Sequence, residues 1–352
     1  MRVLRPWLML AVVAGGFSLH PAFLHTFWTR AYLPNIAQQA ASNVILAVGM
    51  TFVILTGGID LSVGSVLALC GVALGLTVKS GPPHFMLLLA AAPWGVAAAA
   101  LIHRRTTALL AAAGGVLVGL LAAGLLGALT AGGARLEVAV LFALGVGLGC
   151  GLLNGLLVTL GRVPPFVVTL GMLTAARGLT VWATDGNSVS GLPPRLATLG
   201  QGAPLVLLAL AVVAAGAMLL GRTRAGRYLV AIGGNEEAAR LSGIDLTAYK
   251  TLAYALSGLT AAIAAVVITA KFQVADTGAG ANAELNAIAA VVIGGTRLSG
   301  GHGSVVGSLV GALTIAVLNA GLVLVGVRDT LQGVVIGAVI VAAVMVDQYR
   351  RG

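Results

Sequence analysis

The sequence predicts an all-α fold, a polytopic transmembrane bundle of about 10–12 helices, and three observations predict it. Of its 352 residues, 59% are hydrophobic and only 9% charged. A soluble protein carries roughly 25% charged residues, so this chain cannot clothe a water-facing surface and lipid must surround most of it. Glycine is abundant, at 50 residues. In soluble helices that would be destabilising, but in membranes small residues let helix backbones approach closely. Finally, apolar runs of span length follow one another between short polar breaks, at 7–24, 38–56, 62–79, 85–102, 107–130, 138–160, 166–183, 204–220, 250–270, a short one at 284–296, then 303–325 and 330–347. Aromatic residues make up 5%, and no ten-residue alternating segments suggest a membrane β-barrel.

Taken in order, the N-terminal run follows Arg2 and Arg5 and resembles a signal peptide, but no small-x-small cleavage site follows and a retained first helix is expected. Basic residues in short loops set orientation. Threading from a cytoplasmic N-terminus places Arg104, Arg105, Arg162, the group Arg222, Arg224, Arg227, Arg240 and Lys250, and finally Arg350 and Arg351 on the inside. Lys79, Arg135, Arg195 and Lys271 remain scattered outside. Both termini are therefore expected in the cytoplasm. A re-entrant 284–296 would reverse the C-terminus, against that rule. The formal charge of +10 belongs to these topology signals; no basic face with stacking aromatics suggests nucleic acid as a partner. Cys70 and Cys150 lie in apolar runs and read as packed thiols, with no metal spacing.

Two loops stand out. Residues 184–203, rich in Gly, Pro and Ser, should face outward; the charged loop 221–249 should face inward. Within the latter, Asn235-Glu236-Glu237-Ala238-Ala239-Arg240-Leu241-Ser242-Gly243 reads as a short capped helix. Asn235 suits the N-cap, Glu236 and Glu237 the first turn, Arg240 the last turn and Gly243 the left-handed stop. So short a helix is marginal alone and needs a surface to rest on. That surface is either a groove on a cytoplasmic ATPase or the chain's own membrane domain.

Two glycine-broken segments echo each other: Gly57-Gly58-Ile59-Asp60-Leu61-Ser62 before Val63-Gly64-Ser65, and Gly294-Gly295-Thr296-Arg297-Leu298-Ser299 before Val306-Gly307-Ser308. They suggest an internal repeat, as many transporters have. In this alignment Asp60 and Arg297 are equivalent, both near the cytoplasmic face. They either pair directly or cap their helices independently. Asn43, Asn154, Asn286 and Asn319 fall in apolar runs, where they either line a path for a hydroxyl-rich solute or join helices by hydrogen bonds.

No phosphate-binding Gly-x-x-x-x-Gly-Lys-Ser/Thr loop, His-Glu-x-x-His or Gly-x-Ser-x-Gly occurs, so ATP would be bound by another chain and an intramembrane enzyme is disfavoured, a non-transporting scaffold being the other rival. Acidic groups within the runs are few, Asp60 and Glu284 being the main ones, which argues against an ion-coupled carrier or channel, the alternative function.

Four stretches resemble the permease subunits of ribose-type ABC importers: Gly57 to Ser65; Asn154 to Thr159 with Val163 to Met172; Gly233 to Ile244; and Gly294 to Ser308. They occur in the family's order and cover the chain from about residue 38 to its end. The resemblance implies a single permease domain over 1–352 in the inner (plasma) membrane, without a cofactor. It implies a second permease subunit, most simply a homodimer, a cytoplasmic ABC ATPase and a periplasmic or extracellular solute-binding protein, with a monosaccharide or sugar-like solute. It also implies that Gly233 to Ile244 faces the ATPase. One departure is residues 80–135, longer than the family's connection and suggestive of an added helix pair.

Overall fold

The computed structural model describes residues 4–20, 26, 27, 29, 32–103, 108–328, 331–335, 337–339, 341 and 345. Arg2, Arg104, Arg105, Arg350 and Arg351, used above for orientation, lie outside the described residues, as does part of the run at 330–347. The fold is all-α. Its helices are α1 (Leu4–Phe17), α2 (Tyr32–Leu55), α3 (Val63–Lys79), α4 (His84–His103), α5 (Ala108–Thr130), α6 (Leu136–Thr159), α7 (Pro165–Thr184), α8 (Ala197–Gly200), α9 (Gly202–Arg222), α10 (Arg224–Gly234), α11 (Glu236–Leu241), α12 (Leu246–Phe272), α13 (Ala283–Ile293) and α14 (Val305–Leu324). The strands among the described residues are a two-residue pair, β1 (Val189–Ser190) and β2 (Val274–Ala275), antiparallel with Val189 opposite Ala275.

Six of these helices, α2, α6, α7, α9, α12 and α14, are long and apolar enough to cross a membrane. The pair α3 and α4 also qualifies together, as a broken span or a re-entrant loop, bent by 110° at the loop between them. The run at 284–296 becomes α13, of 11 residues. At 1.5 Å per residue it reaches only about 16 Å, half the ~30 Å hydrocarbon thickness.

The chain packs as two compact units. The first comprises Met1–Ile59, Gly202–Leu246 and Asn282–Gly352. In it α14 lies against α1, α2, α9 and α13. From Val44 to Leu55, α2 is buried on all sides, as expected of a helix apolar all round. It runs antiparallel to α14: the Gly301 N–H donates to the Leu55 carbonyl at 3.0 Å, and the hydroxyls of Thr51 and Ser308 meet at 2.7 Å. α13 and α14 are pressed together where Gly294 meets Gly307, an approach that any side chain there would block.

The second unit comprises Asp60–Gln201 and Thr247–Ala281. Here α3 is central and packs on α6 and α7. The stripe Gly147, Gly151 and Gly155 on α6, at four-residue spacing, receives the backbone of α12 at Gly258, Tyr254 and Thr251. The residues expected in an added pair at 80–135 form α4 and α5, which pack on each other through Gly95 and Gly115. Leu117, Leu120, Leu121 and Leu125 of α5 remain exposed, an apolar surface suited to lipid.

Candidate functional site

The segment 235–243 forms the element its sequence specifies. The Asn235 side chain accepts from the Ala238 N–H at 2.9 Å, closing the N-terminus of α11. Glu236 and Glu237 occupy the first turn and Arg240 the last. Gly243, at φ +79°, turns the chain left-handed, and the Ile244 N–H closes back on the Ala239 carbonyl at 3.1 Å. Arg240 and Glu237 form an ion pair across one turn of the helix. Glu237's hydrogen bond and charge raise the Arg240 pKa further. Ala239 is buried, whereas Leu241 is 78% exposed. Ala238 supplies backbone to the cap and to the Ser242 hydroxyl. One face of α11 is therefore tied down and the other presents Glu237, Arg240 and Leu241 outward.

α10 leads directly into this element. The Thr223 hydroxyl caps it by accepting from the Gly226 N–H, and Leu229 and Ile232 bury its inner face. It ends in Gly233 and Gly234, which rest on both glycine-broken segments of the first unit. Gly233 abuts the Leu55 carbonyl and Gly301, while Gly300 lies against Gly57 and Gly233. A Cβ on Gly300 would come 2.9 Å from the Gly57 nitrogen and 3.0 Å from the Gly233 Cα. Three backbone segments thus cross, and Gly233 and Gly300 leave no room there for a side chain. The sequence had placed these motifs in separate roles; the structure brings them together at the root of α11.

The two breaks share a cap but in a different register from the sequence alignment. At the first, the Gly57 N–H bonds to the Ile54 carbonyl and the Gly58 N–H to that of Val53, with Gly57 at φ +78°. At the second, the Gly295 N–H bonds to the Val292 carbonyl and the Thr296 N–H to that of Val291, with Gly295 at φ +87°. Gly57 therefore corresponds to Gly295, not to Gly294, and Asp60 falls opposite Leu298 rather than Arg297. The identical Gly-Gly pairs had pulled the alignment by one residue.

Downstream the breaks diverge. The Asp60 carboxylate is 1% exposed. Its Oδ1 accepts from the Ser62 N–H at 3.0 Å and the Ser62 hydroxyl at 2.6 Å, and its Oδ2 from the Ser257 hydroxyl at 2.7 Å. The Ser62 hydroxyl also accepts from Asn154 Nδ2 at 3.0 Å. Ser62 is the N-cap residue of α3, but its hydroxyl does not cap. Its carbonyl accepts the first helical bond, from Val66. The expectation that Asp60 caps this helix is corrected: Asp60 instead folds the preceding turn and spends its second oxygen on α12. Arg297 lies in a loop, its N–H on the His302 carbonyl and its guanidinium 3.4 Å from His302 Nδ1. Ser299 is exposed beside it. Ser304, not Ser299, caps α14, accepting from the Gly307 N–H at 3.3 Å. Asp60 and Arg297 are each engaged within their own unit.

Of the four asparagines, Asn154 belongs to the Asp60 network. Asn43 on α2 and Asn319 on α14 share the first unit. Counting from the Thr51–Ser308 contact, they lie about 12 and 16 Å along their antiparallel helices, at similar depth. The side-chain oxygens of Asn43, Asn154 and Asn319 are buried without a partner. Asn286 is half-buried in the first turn of α13.

A family model described as "Branched-chain amino acid transport system / permease component" matches residues 32–112 and 109–344. The chain belongs to this permease family. It is 38% identical to the ribose import permease protein RbsC of Bacillus subtilis (strain 168), over 99% of this chain and 94% of that one. It is 37% identical to RbsC of Escherichia coli (strain K12), over 97% and 92%, and 35% identical to that strain's galactofuranose transporter permease protein YtfT, over 90% and 79%. No solved structure matches it. The permease is accordingly a multi-pass inner-membrane protein and a transport component rather than an enzyme.

Sequence reading of this permease missed Arg177. Its guanidinium reaches from α7 to the carbonyls of Thr277 and Ala279 and pins the turn after β2. The β1–β2 pair fastens the same turn to the loop 184–203. Only an arginine in an otherwise apolar run signalled it.

Proposed function

We propose that this permease carries a monosaccharide or sugar-like solute inward, driven by a separate cytoplasmic ABC ATPase and supplied by an external solute-binding protein. The relatives named for ribose and galactofuranose support the solute class over the amino acids in the family description, because they match at 35–38% identity over 90–99% of this chain. The observation that carries the mechanism is an exposed, capped α11 rooted at the three-way glycine junction. ATP-driven closure of the ATPase presses α11, and the junction passes that motion to the end of α2 and the loop before α14. Alternating access follows without chemical change to the solute.

Both termini, proposed cytoplasmic, belong to the first unit; in the second, the basic residues divide between two ends as the proposed orientation requires. Lys79 approaches Gly191, Gly200 abuts the backbone at Lys271, and the Ala134 N–H donates to the Thr77 carbonyl. Lys79, Arg135, Arg195 and Lys271 therefore gather at one end, the proposed exterior. The contact of Thr159 with Thr251 sets Arg162 and Lys250 at the other. Loop 184–203, braced by β2 and Arg177, is the proposed platform for the binding protein. Asn43 and Asn319 are proposed to line the path, with Asn286 on the short α13 at its mouth. A second copy of the permease completes the pathway, surrounded by lipid. The α4–α5 pair is an addition to the family frame, and the family match is split within it, at 109–112.

Reconstituting the permease with its ATPase and binding protein and measuring uptake across a sugar panel tests this reading. ATP-dependent uptake of a sugar is expected. Uptake that proceeds without the ATPase would favour an ion-coupled carrier or channel instead.

A further inference from the structure

The Asp60 network holds more oxygen than its hydrogen bonds use. The carboxylate is enclosed, and all three of its donors, the Ser62 N–H and the hydroxyls of Ser62 and Ser257, are neutral. Two buried oxygens have no partner: Asn154 Oδ1 and the Tyr254 hydroxyl, each on a residue 1% exposed. The Asn154 oxygen belongs to the same amide whose nitrogen binds Ser62, so it sits at the network's edge. Tyr254 and Ser257 are one turn apart on α12 and share a face. The Tyr254 hydroxyl also lies within electrostatic reach of Asp60.

Charge and hydrogen bonding thus pose two separate problems. A buried, unpaired carboxylate is costly in a membrane protein. The N-terminus of α3 offsets only roughly half an elementary charge. A proton on Asp60 would remove the charge but leave the Asn154 amide oxygen unsatisfied. A water molecule would satisfy the oxygens but leave the charge. A small cation answers both. The donors are hard oxygens with one carboxylate among them, whereas divalent sites generally gather several carboxylates. No group of three or more His, Cys, Asp or Glu that could hold a metal ion occurs among the described residues, so a transition metal has no ligand set.

We propose that Asp60, Asn154, Tyr254 and Ser257 bind a sodium ion that is resident in the second unit and locks α3, α6 and α12 together. This ion is structural and distinct from the transported solute, and the proposal does not depend on which solute that is.

The test uses the purified permease–ATPase complex in detergent. Its thermal midpoint is compared in sodium chloride and in choline chloride of equal concentration, and retention of radioactive sodium is measured after gel filtration. The proposal expects a midpoint several degrees higher in sodium and stoichiometric retention. Asp60→Asn should abolish both. Should that variant fail to assemble, Tyr254→Phe, which removes one ligand and keeps the ring, should weaken sodium binding several-fold. Equal midpoints in the two salts with no retained sodium would overturn the proposal. So would a midpoint that follows pH but not sodium, which would show a proton instead, or unchanged sodium binding in Tyr254→Phe together with Asp60→Asn.

Discussion

The two glycine breaks begin alike and end differently. Both close a helix with a left-handed glycine, Gly57 or Gly295, and the same pair of backward hydrogen bonds. After the first, Asp60 turns inward and is held by residues up to 197 positions away in sequence. After the second, the chain loops past an Arg297 whose bonds stay within the loop, to His302 and Gly300, before Ser304 starts α14. A shared cap therefore fixes how a helix stops but says nothing about where the next charged residue goes. Long-range donors decide that.

Substitutions can break or sharpen this contrast, each read as the thermal midpoint of the purified complex. The largest effect is expected from Asp60→Ala, which strips the acceptor from the Ser62 and Ser257 donors. At about 1–3 kcal/mol per orphaned buried group, the loss should reach at least ~3 kcal/mol. A small effect would mean the first break is as loosely held as the second. Next come Gly57→Ala and Gly295→Ala. Neither glycine has a close neighbour in the way of a Cβ, so each should cost only the left-handed penalty, about 1–2 kcal/mol. Equal costs would support a shared cap; unequal ones would break the equivalence. Ser304→Ala should cost about 1 kcal/mol as a lost N-cap. Arg297→Ala, half-exposed and locally bonded, should stay within about 0.5 kcal/mol.

What was legible in the sequence follows the same division. Asn235, Gly243 and the carboxylates of α11 act within one turn, so capping rules alone specify that helix. Membrane embedding and the all-α class follow from composition and run length. The half-length α13 was visible as a short run, though its length in residues had to come from the structure. The one-residue slip between the breaks was invisible because Gly-Gly occurs in both. The left-handed φ of Gly57 and Gly295, with the backbone bonds of Gly58 and Thr296, reveals which glycine turns. The glycine junction was equally hidden: Gly57, Gly233 and Gly300 are far apart in sequence, and nothing local marks them as neighbours. Asn154 looked like one of four similar asparagines until its bond to Ser62 separated it from Asn43 and Asn319.

The measurement that tests the account most directly is uptake and ATP hydrolysis recorded together in proteoliposomes for the native permease, Glu236→Ala and Arg240→Ala, each with its ATPase and binding protein. If α11 is the lever, both variants should insert and assemble, ATP hydrolysis should continue, and solute moved per ATP should fall about tenfold, equivalent to losing ~1.4 kcal/mol at the docking surface. Native solute-to-ATP ratios in both variants would contradict the assignment of α11 as the element that couples ATP to transport.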